Sequence, residues 1–526
     1  MNYIHSIHIE GFRKFNYLDV EFNPKMNILV GENESGKSTI LDAIKTVLNQ
    51  QYRNSDKSIL KDLFNKQQVE DFYSTPSIST LPYIQIEMTL CLSPEDPASS
   101  YFHGENYGKR SSQPEKFGIR FECKYDQELG AGMEQSIQEG KIPYEYYSLS
   151  WTTFSNRPYS LIRRPLKFLY IDVTNGTSAP AFNYYNKALF FSKYNESVRA
   201  KAKNTFRDGL EKIFDEAKLP PIDQNRKFGI DSKKVILESV LSVYENSIAL
   251  ENRGSGMESL IKTQIALDKR NGLDVVLLEE PENHLSFSTL QQMLQDITAR
   301  VNNSQIFVTT HSNMVVSRLN LKNVLWITEN RVEKLENVEK HVADFFVRAD
   351  NNSFLQLLLS KKAFLVEGAT EFLLLPKFYE QITGHTLEQD GISIISCNGI
   401  SYNNYLSIAS TTNKRIAVIT DNDHNIERIQ CAEEFNSGDK PQRIFMPKNE
   451  EEWTWEVCVY NLNKDILQKL IKTKPKAEYR YHGQLYDPVL GKMLNNKVDS
   501  AYEMLISGEA FVVPEYLQEA IKWLKE

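Results

Sequence analysis

Gly31-Glu32-Asn33-Glu34-Ser35-Gly36-Lys37-Ser38 fills every fixed position of the phosphate-binding P-loop. The apolar run from Met26 to Val30 predicts a buried strand before it, and Ile40, Leu41, Ile44, Val47 and Leu48 recur at helical spacing after it. Between a strand and a helix, the loop's N–H groups and the helix N-terminus direct positive dipole at an anion, and the glycines let the backbone approach it. Gly31, Asn33, Ser35, Gly36, Lys37, Ser38 and Thr39 are therefore read as nucleotide-binding. Lys37 would reach the β- and γ-phosphates of ATP, and Ser38 the Mg²⁺.

Four further stretches end apolar strands in groups that can do chemistry. Asp274 to Glu282 is a strand closing on carboxylates, the logic of a Walker B segment. Glu279 would hold the metal shell, and Glu280 would orient and deprotonate the water that attacks the γ-phosphate. Gln305 to Ser312 is a strand ending at His311, which either senses the γ-phosphate or is a satisfied structural histidine. Ala363 to Glu371 reads as strand, turn and helix start, with Glu367 at the strand tip and Glu371 one helical turn beyond. Arg415 to Asp423 is another apolar strand, and period-two alternation predicts Asp421 and Asp423 on one side of it. Four acids meeting at parallel-strand ends would suit Mg²⁺ or Mn²⁺, two ions of which can stabilise both oxygens of a phosphodiester displacement.

The elements that must position these groups give an α/β chain. Ile7 and Ile9, then Leu18, Val20 and Phe22, alternate with polar residues as two strands around Gly11 to Phe15, predicted to share one sheet with the strands after them. Tyr83 to Leu90, Phe117 to Tyr125 and Tyr144 to Thr153 read as strands, the last two as a hairpin with a long connection. From Tyr184 to Lys218 the spacing is helical and reads either as a core-facing helix pair or as an inserted dimerisation arm. Near residue 350 the character changes, with Asp350 to Ser353 placed to cap a helix through Leu355, Leu358 and Leu359. The expected domains are thus 1–350, with a helical insert at about 180–235, and 351–526.

Composition narrows the partners less than the motifs do. The 526 residues carry a net charge of −8, so nucleic acid would have to be met by local patches and metal ions and not by a global basic field. Arg163-Arg164, Lys361-Lys362 and Lys472 to Lys476 are such patches, each equally readable as solvated surface. Five scattered cysteines without a C-x-x-C pair fit a reducing, cytoplasmic compartment. No leader and no run of ~20 apolar residues predicts membrane insertion.

The order of N-terminal strand pair, P-loop, Arg253-Gly254-Ser255-Gly256-Met257, Walker B strand and Thr310-His311-Ser312 resembles the ABC-type ATPases of the SMC, Rad50 and RecF group. That resemblance implies that Ser255 and Gly256 of one subunit complete the ATP site of another, in a homodimer or higher oligomer. Glu279 departs from the aspartate usual there. Val366-Glu367-Gly368 followed by Ile419 to Asp423 resembles the Toprim domain, a Rossmann-like α/β fold. The tandem resembles the OLD family of nucleases. Within that family the resemblance extends to Trp453-Thr454-Trp455-Glu456 and Lys497-Val498-Asp499-Ser500-Ala501, implying Glu456 as a further metal ligand and Lys497 as the catalytic lysine. A lysine beside bound metals can stabilise a pentacovalent phosphate, whereas one before an amphipathic helix is ordinarily solvated.

The function these readings favour is an ATP-binding, metal-dependent DNA endonuclease or nickase, its Toprim site regulated by the ATPase dimer and serving anti-phage defence. It would act alone or beside a partner such as a helicase-like protein or a retron reverse transcriptase with its DNA. The alternative is a recombination or repair ATPase whose Toprim domain holds DNA without cutting. Free nucleotides stay open as substrate.

Overall fold

The computed structural model describes residues 2–526 apart from 106–114, 173–185, 188, 192, 217–219, 227, 229–230, 232–235, 253–259, 262, 265–272, 284, 301–303, 329–330, 335–353, 398–401, 413 and 475–477. Ser255 and Gly256, the 350/351 boundary and the Asp350–Ser353 cap lie outside the described residues, as does part of Lys472–Lys476. The chain divides into two compact units, Met1–Leu319 with Asn323–Lys334, and Asn320–Lys322 with Leu335–Glu526.

In the first unit, strands β1 (Tyr3–Phe12), β2 (Phe15–Glu21), β4 (Ile84–Cys91), β5 (His103–Glu105), β6 (Glu115–Tyr125) and β7 (Tyr147–Thr153) form an antiparallel sheet. Its order is β2-β1-β4-β6, and both β5 and β7 pair with β6. The hairpin β1–β2 and the pairing of β6 with β7 follow the alternation in the sequence. The P-loop strand β3 (Met26–Gly31) does not join that sheet, as the single-sheet expectation had it. Buried at all six positions, it has no solvent face and belongs inside a covered parallel sheet.

That second sheet runs β14-β13-β3-β12-β11-β8, with β8 (Phe168–Asp172), β11 (Val275–Glu279), β12 (Gln305–Thr309), β13 (Val324–Ile327) and β14 (Val332–Lys334). A two-strand ribbon of β9 (Tyr244–Glu245) and β10 (Ile248–Ala249) stands apart. β3, β12 and β11 are parallel neighbours in register Leu29↔Thr309↔Glu279. The P-loop, His311 and the Walker B carboxylates therefore leave one sheet edge side by side, at the carboxyl ends where open α/β sheets bind ligands.

Of the helical insert, the described part includes the helix Glu196–Glu216. Just before it, Phe190 packs against Phe191 and Tyr194. Phe191 and Tyr194 there, and Val198 within the helix, are exposed, while Phe206 and Leu210 farther along it are half-buried.

The second unit holds a four-stranded parallel sheet in the order β16-β15-β17-β18, from β15 (Lys362–Val366), β16 (Ile392–Ser396), β17 (Arg415–Ile419) and β18 (Gln442–Phe445). The helix Ala369–Thr383 carries the chain from β15 to β16. The order reverses between β15 and β17, so the crevice lies at their adjacent C-terminal ends. Trp455, 1% exposed, stacks on Phe378 with centroids 5.7 Å apart and pins the Trp455–Leu462 helix to the core beneath that crevice.

Candidate nucleotide and metal sites

The P-loop opens onto a cavity of about 1120 Å³ lined by Asn33, Gly36, Lys37, Ser38, Thr39, Glu280 and His311, with Arg13, Lys14, Lys61 and Lys66 among its other walls. Two glycines are fixed by space as well as by motif. A Cβ on Gly31 would lie 2.4 Å from Ser35 Oγ, and one on Gly36, at φ +107°, would lie 2.2 Å from the Phe15 ring. Lys37 folds onto the loop, Nζ donating to Gly31 O at 3.0 Å and Glu32 O at 2.9 Å. Burial lowers its pKa to about 8 against the opposing pull of Glu280, Glu279 and Glu282. A polyphosphate would supply the charge that this ammonium lacks.

Ser38 Oγ donates to Glu279 Oε1, and Tyr170 OH, from the neighbouring strand β8, donates to Glu279 Oε2. Ser38 and Glu279 thus face one another as an all-oxygen pair of the kind that takes Mg²⁺. Glu280 sits at φ 43°, a left-handed conformation unusual for a side-chain-bearing residue. Its N–H bonds Thr309 O at 3.0 Å, Asn283 Nδ2 holds its Oε2 at 2.8 Å, and His311 Nε2 is 3.4 Å from its Oε1. Burial and Lys37 hold the His311 pKa below its ordinary value, with Glu280 opposing. Glu282, whose pKa burial raises, accepts from Thr310 Oγ1 at 2.5 Å and from the His311 N–H at 2.9 Å. It fixes the backbone that carries the histidine.

In the second unit a cavity of about 690 Å³ is lined by Glu367, Glu371, Asp421, Glu456, Lys497 and Arg428, with Tyr402 and Asn403 at its wall. Glu367 and Asp421 come from the two strand ends at the order reversal. Glu371 Oε2 accepts the Gly368 N–H at 3.0 Å, a capping arrangement that turns its carboxyl back to the strand tip. Asp421 Oδ1 accepts the Trp455 N–H at 2.9 Å, and Thr454 Oγ1 lies 2.7 Å from both Asp421 Oδ2 and Glu456 Oε2. Lys497 Nζ is 3.0 Å from Glu456 Oε2. Burial opposes its charge, but Glu456 and Asp421 outweigh that and raise its pKa.

Asp423 does not line this cavity, contrary to the alternation argument. β17 ends at Ile419, so the ladder that enforces period two has stopped before the aspartates, and Asp423, at φ 50°, no longer follows the strand alternation. The intervening Asn422 is the buried one, its Nδ2 donating to Pro447 O and Asn449 O.

The donor set fits a divalent ion chemically. All its atoms are hard carboxylate oxygens, and Glu456 Oε1 is buried without a hydrogen-bond partner. Burial pushes Glu371 up to about 7, with the charge of Glu456 adding to it, and burial and the Glu371 charge push Asp421 up to about 7. Among the described residues, no three such side chains converge closely enough to enclose an ion as they stand. Thr454, Lys497 and Arg428 hold them instead. Thr454, Arg428 and Tyr170 are the contributors that sequence reasoning missed. Thr454 was visible only as a member of the Trp453–Glu456 stretch.

Residues 358–423 match the family model "Overcoming lysogenization defect protein-like, TOPRIM domain", residues 6–163 an "AAA domain" model, and 171–316 an "AAA ATPase domain" model. The chain is 26% identical over 208 residues to the Old nuclease of Escherichia phage P2, covering 37% of this chain and 33% of that protein. It spans about a third of that relative's length. It is 24% identical over 390 residues to the Retron Ec83 probable ATPase of Escherichia coli, covering 62% of this chain and 71% of that one. Among solved structures it is similar to an SmcHead bound to the C-winged helix domain of ScpA, with TM-score 0.35, 17% identity, and coverage of 64% and 100%. No helix among the described residues is long and apolar enough to cross a membrane.

Proposed function

We propose that this chain, an AAA-type ATPase carrying an OLD-like Toprim domain, is an ATP-regulated, divalent-metal-dependent DNA endonuclease or nickase. The observation that carries the reading is the assembly of Glu367, Glu371, Asp421, Glu456 and Lys497 on one crevice at the strand-order reversal. Such a site would take Mg²⁺ or Mn²⁺, which supplies Lewis acidity and neutralises phosphate charge. The chain's own part is to hold the carboxylates through Thr454 and Trp455 N–H, and to keep Lys497 charged beside Glu456 for the phosphate's developing negative charge.

In the ATPase domain, Lys37 and the P-loop N–H groups would bind phosphate, Ser38 and Glu279 would hold Mg²⁺, and Glu280 would position the attacking water, with His311 at the same cavity. Ser255 and Gly256 would complete this site in trans within a homodimer or higher oligomer, so nucleotide state would govern assembly and through it cleavage. The role we propose is cytoplasmic and in anti-phage defence, beside a partner such as a reverse transcriptase with its DNA; the similarity to a retron's probable ATPase supports the retron-type partner.

Plasmid cleavage with Mg²⁺ or Mn²⁺, with and without ATP, tests the reading. The wild type nicks or linearises the plasmid, and Glu367→Ala and Asp421→Ala do not. Absence of any cutting with Mn²⁺ would favour a Toprim domain that only holds DNA. Cutting by both variants at the wild-type rate would show that the site is elsewhere.

A further inference from the structure

Arg428 lies on the helix Ile426–Asn436, which comes just after Asp423, and its side chain reaches back across the end of β17. Nη1 holds Asp423 Oδ2, while Nη2 lies 3.4 Å from Glu367 Oε1 and 3.1 Å from Thr420 Oγ1, which itself donates to Glu367. One guanidinium therefore joins the carboxylate at the β15 tip to the carboxylate beyond β17. These are the two acids whose separation in space would otherwise leave like charges facing each other across the mouth of the crevice.

The Asp423 loop does not need this arginine for its shape. Asp423 and His424 sit at φ 50° and 59°, held by Asp423 N–H to Trp453 O at 3.1 Å and by His424 N–H to Asn422 Oδ1 at 3.0 Å. The His424 ring adds a stack on Trp453 at 4.8 Å and a 2.9 Å contact from Nδ1 to Glu450 O. With the backbone fixed independently, the guanidinium is left the role of a counter-charge. Asp423 is 58% exposed and Arg428 30%, so solvent screens the pairs and they are weak enough to exchange.

We infer that Arg428 is a resident cation at the mouth of the Toprim crevice, tied to Asp423 outside the cavity, and that it would give up Glu367 when a divalent ion binds there. The inference rests on the reading of that crevice as a metal site. It makes Arg428 a positioning residue that keeps the two carboxylates in place before metal arrives, and a competitor with the metal for Glu367.

The test is Mn²⁺ titration of the full chain without DNA or nucleotide, following free Mn²⁺ by electron paramagnetic resonance. A Ser38→Ala background weakens the P-loop metal position. Losing the competing pairs, Arg428→Ala should bind Mn²⁺ about three- to tenfold more tightly than the background protein. Arg428→Lys, which keeps the charge but not the fork, should fall between, and carries the test if the alanine variant does not fold. Unchanged or weaker Mn²⁺ binding by the variants would overturn the inference and mark an ordinary surface ion pair. Failure of every protein, background included, to bind Mn²⁺ would instead remove the metal-site reading itself.

Discussion

Divalent metal entering the Toprim crevice should expel protons, in a number set by the site. Asp421 and Glu371 are both pushed up to about 7 by burial, to which the charge of Glu371 adds at Asp421 and the charge of Glu456 adds at Glu371. Geometry shows the crowding: Thr454 Oγ1 lies 2.7 Å from both Asp421 Oδ2 and Glu456 Oε2, two carboxyl oxygens that compete for the one hydrogen of a hydroxyl. Near pH 7 the interacting pair should carry about one proton in all, near pH 6 close to two, and near pH 8 only about 0.2. A metal ion needs the carboxylates ionised, so those numbers are also the protons released on binding. Calorimetric titration of Mn²⁺ in buffers of different ionisation enthalpy counts them, and Asp421→Asn should remove about half of the release at pH 6. Stability should move with pH in the matching sense. A carboxyl whose folded pKa lies above its unfolded value near 4 stabilises the fold at low pH, and that contribution is lost as pH rises through about 7. The metal-free protein should therefore melt at lower temperature at pH 8 than at pH 6, and the stabilisation by Mn²⁺ should grow across the same interval. A release below about 0.2 protons throughout pH 6–8 would refute the reasoning, since the two acids would then titrate as if solvated.

Two further outcomes concern the ATPase domain. Glu280→Gln should bind ATP like the wild type but hydrolyse it about a hundredfold or more slowly in a phosphate-release assay, because the amide cannot take the water's proton. Gly36→Ala should lower the melting temperature by the equivalent of about 1–3 kcal/mol and abolish nucleotide binding in equilibrium dialysis, because the new methyl meets the Phe15 ring and the left-handed backbone at once.

What the sequence made legible were features whose geometry is settled within a few residues. The P-loop is one, since eight residues between a strand and a helix carry the whole phosphate cradle. Glu367 and Glu371 are another, because a strand tip and a helix's first turn fix both carboxyls relative to one short backbone segment. Asp423 failed for an instructive reason: alternation is a property of the hydrogen-bonded ladder, and the ladder ends at Ile419. The expectation that the N-terminal strands share a sheet with their successors held for β4 and not for β3, because period-two alternation reports a half-exposed strand and an unbroken apolar run a buried one. Thr454 meets Asp421 across 33 residues, and Tyr170 meets Glu279 across 109. No local pattern encodes such partners, because only the tertiary packing within each unit brings them together.

The charge balance at the Toprim crevice ties these observations together. Glu367, Glu371, Asp421 and Glu456 bring four carboxyls to it, against which Lys497 and Arg428 supply two positive charges, the latter shared with Asp423 outside the cavity. Two negative charges would remain if all four acids were ionised, and the burial of Glu371, Asp421 and Glu456 makes that costly. Two features relieve the excess: burial raises the pKa of Asp421 and of Glu371, and Arg428 reaches between Glu367 and Asp423. Both would give way to the charge of a bound cation. A divalent cation should therefore displace protons at the floor and the guanidinium at the mouth, and the two exchanges should respond to different variants: proton release to Asp421→Asn, metal affinity at neutral pH to Arg428→Ala.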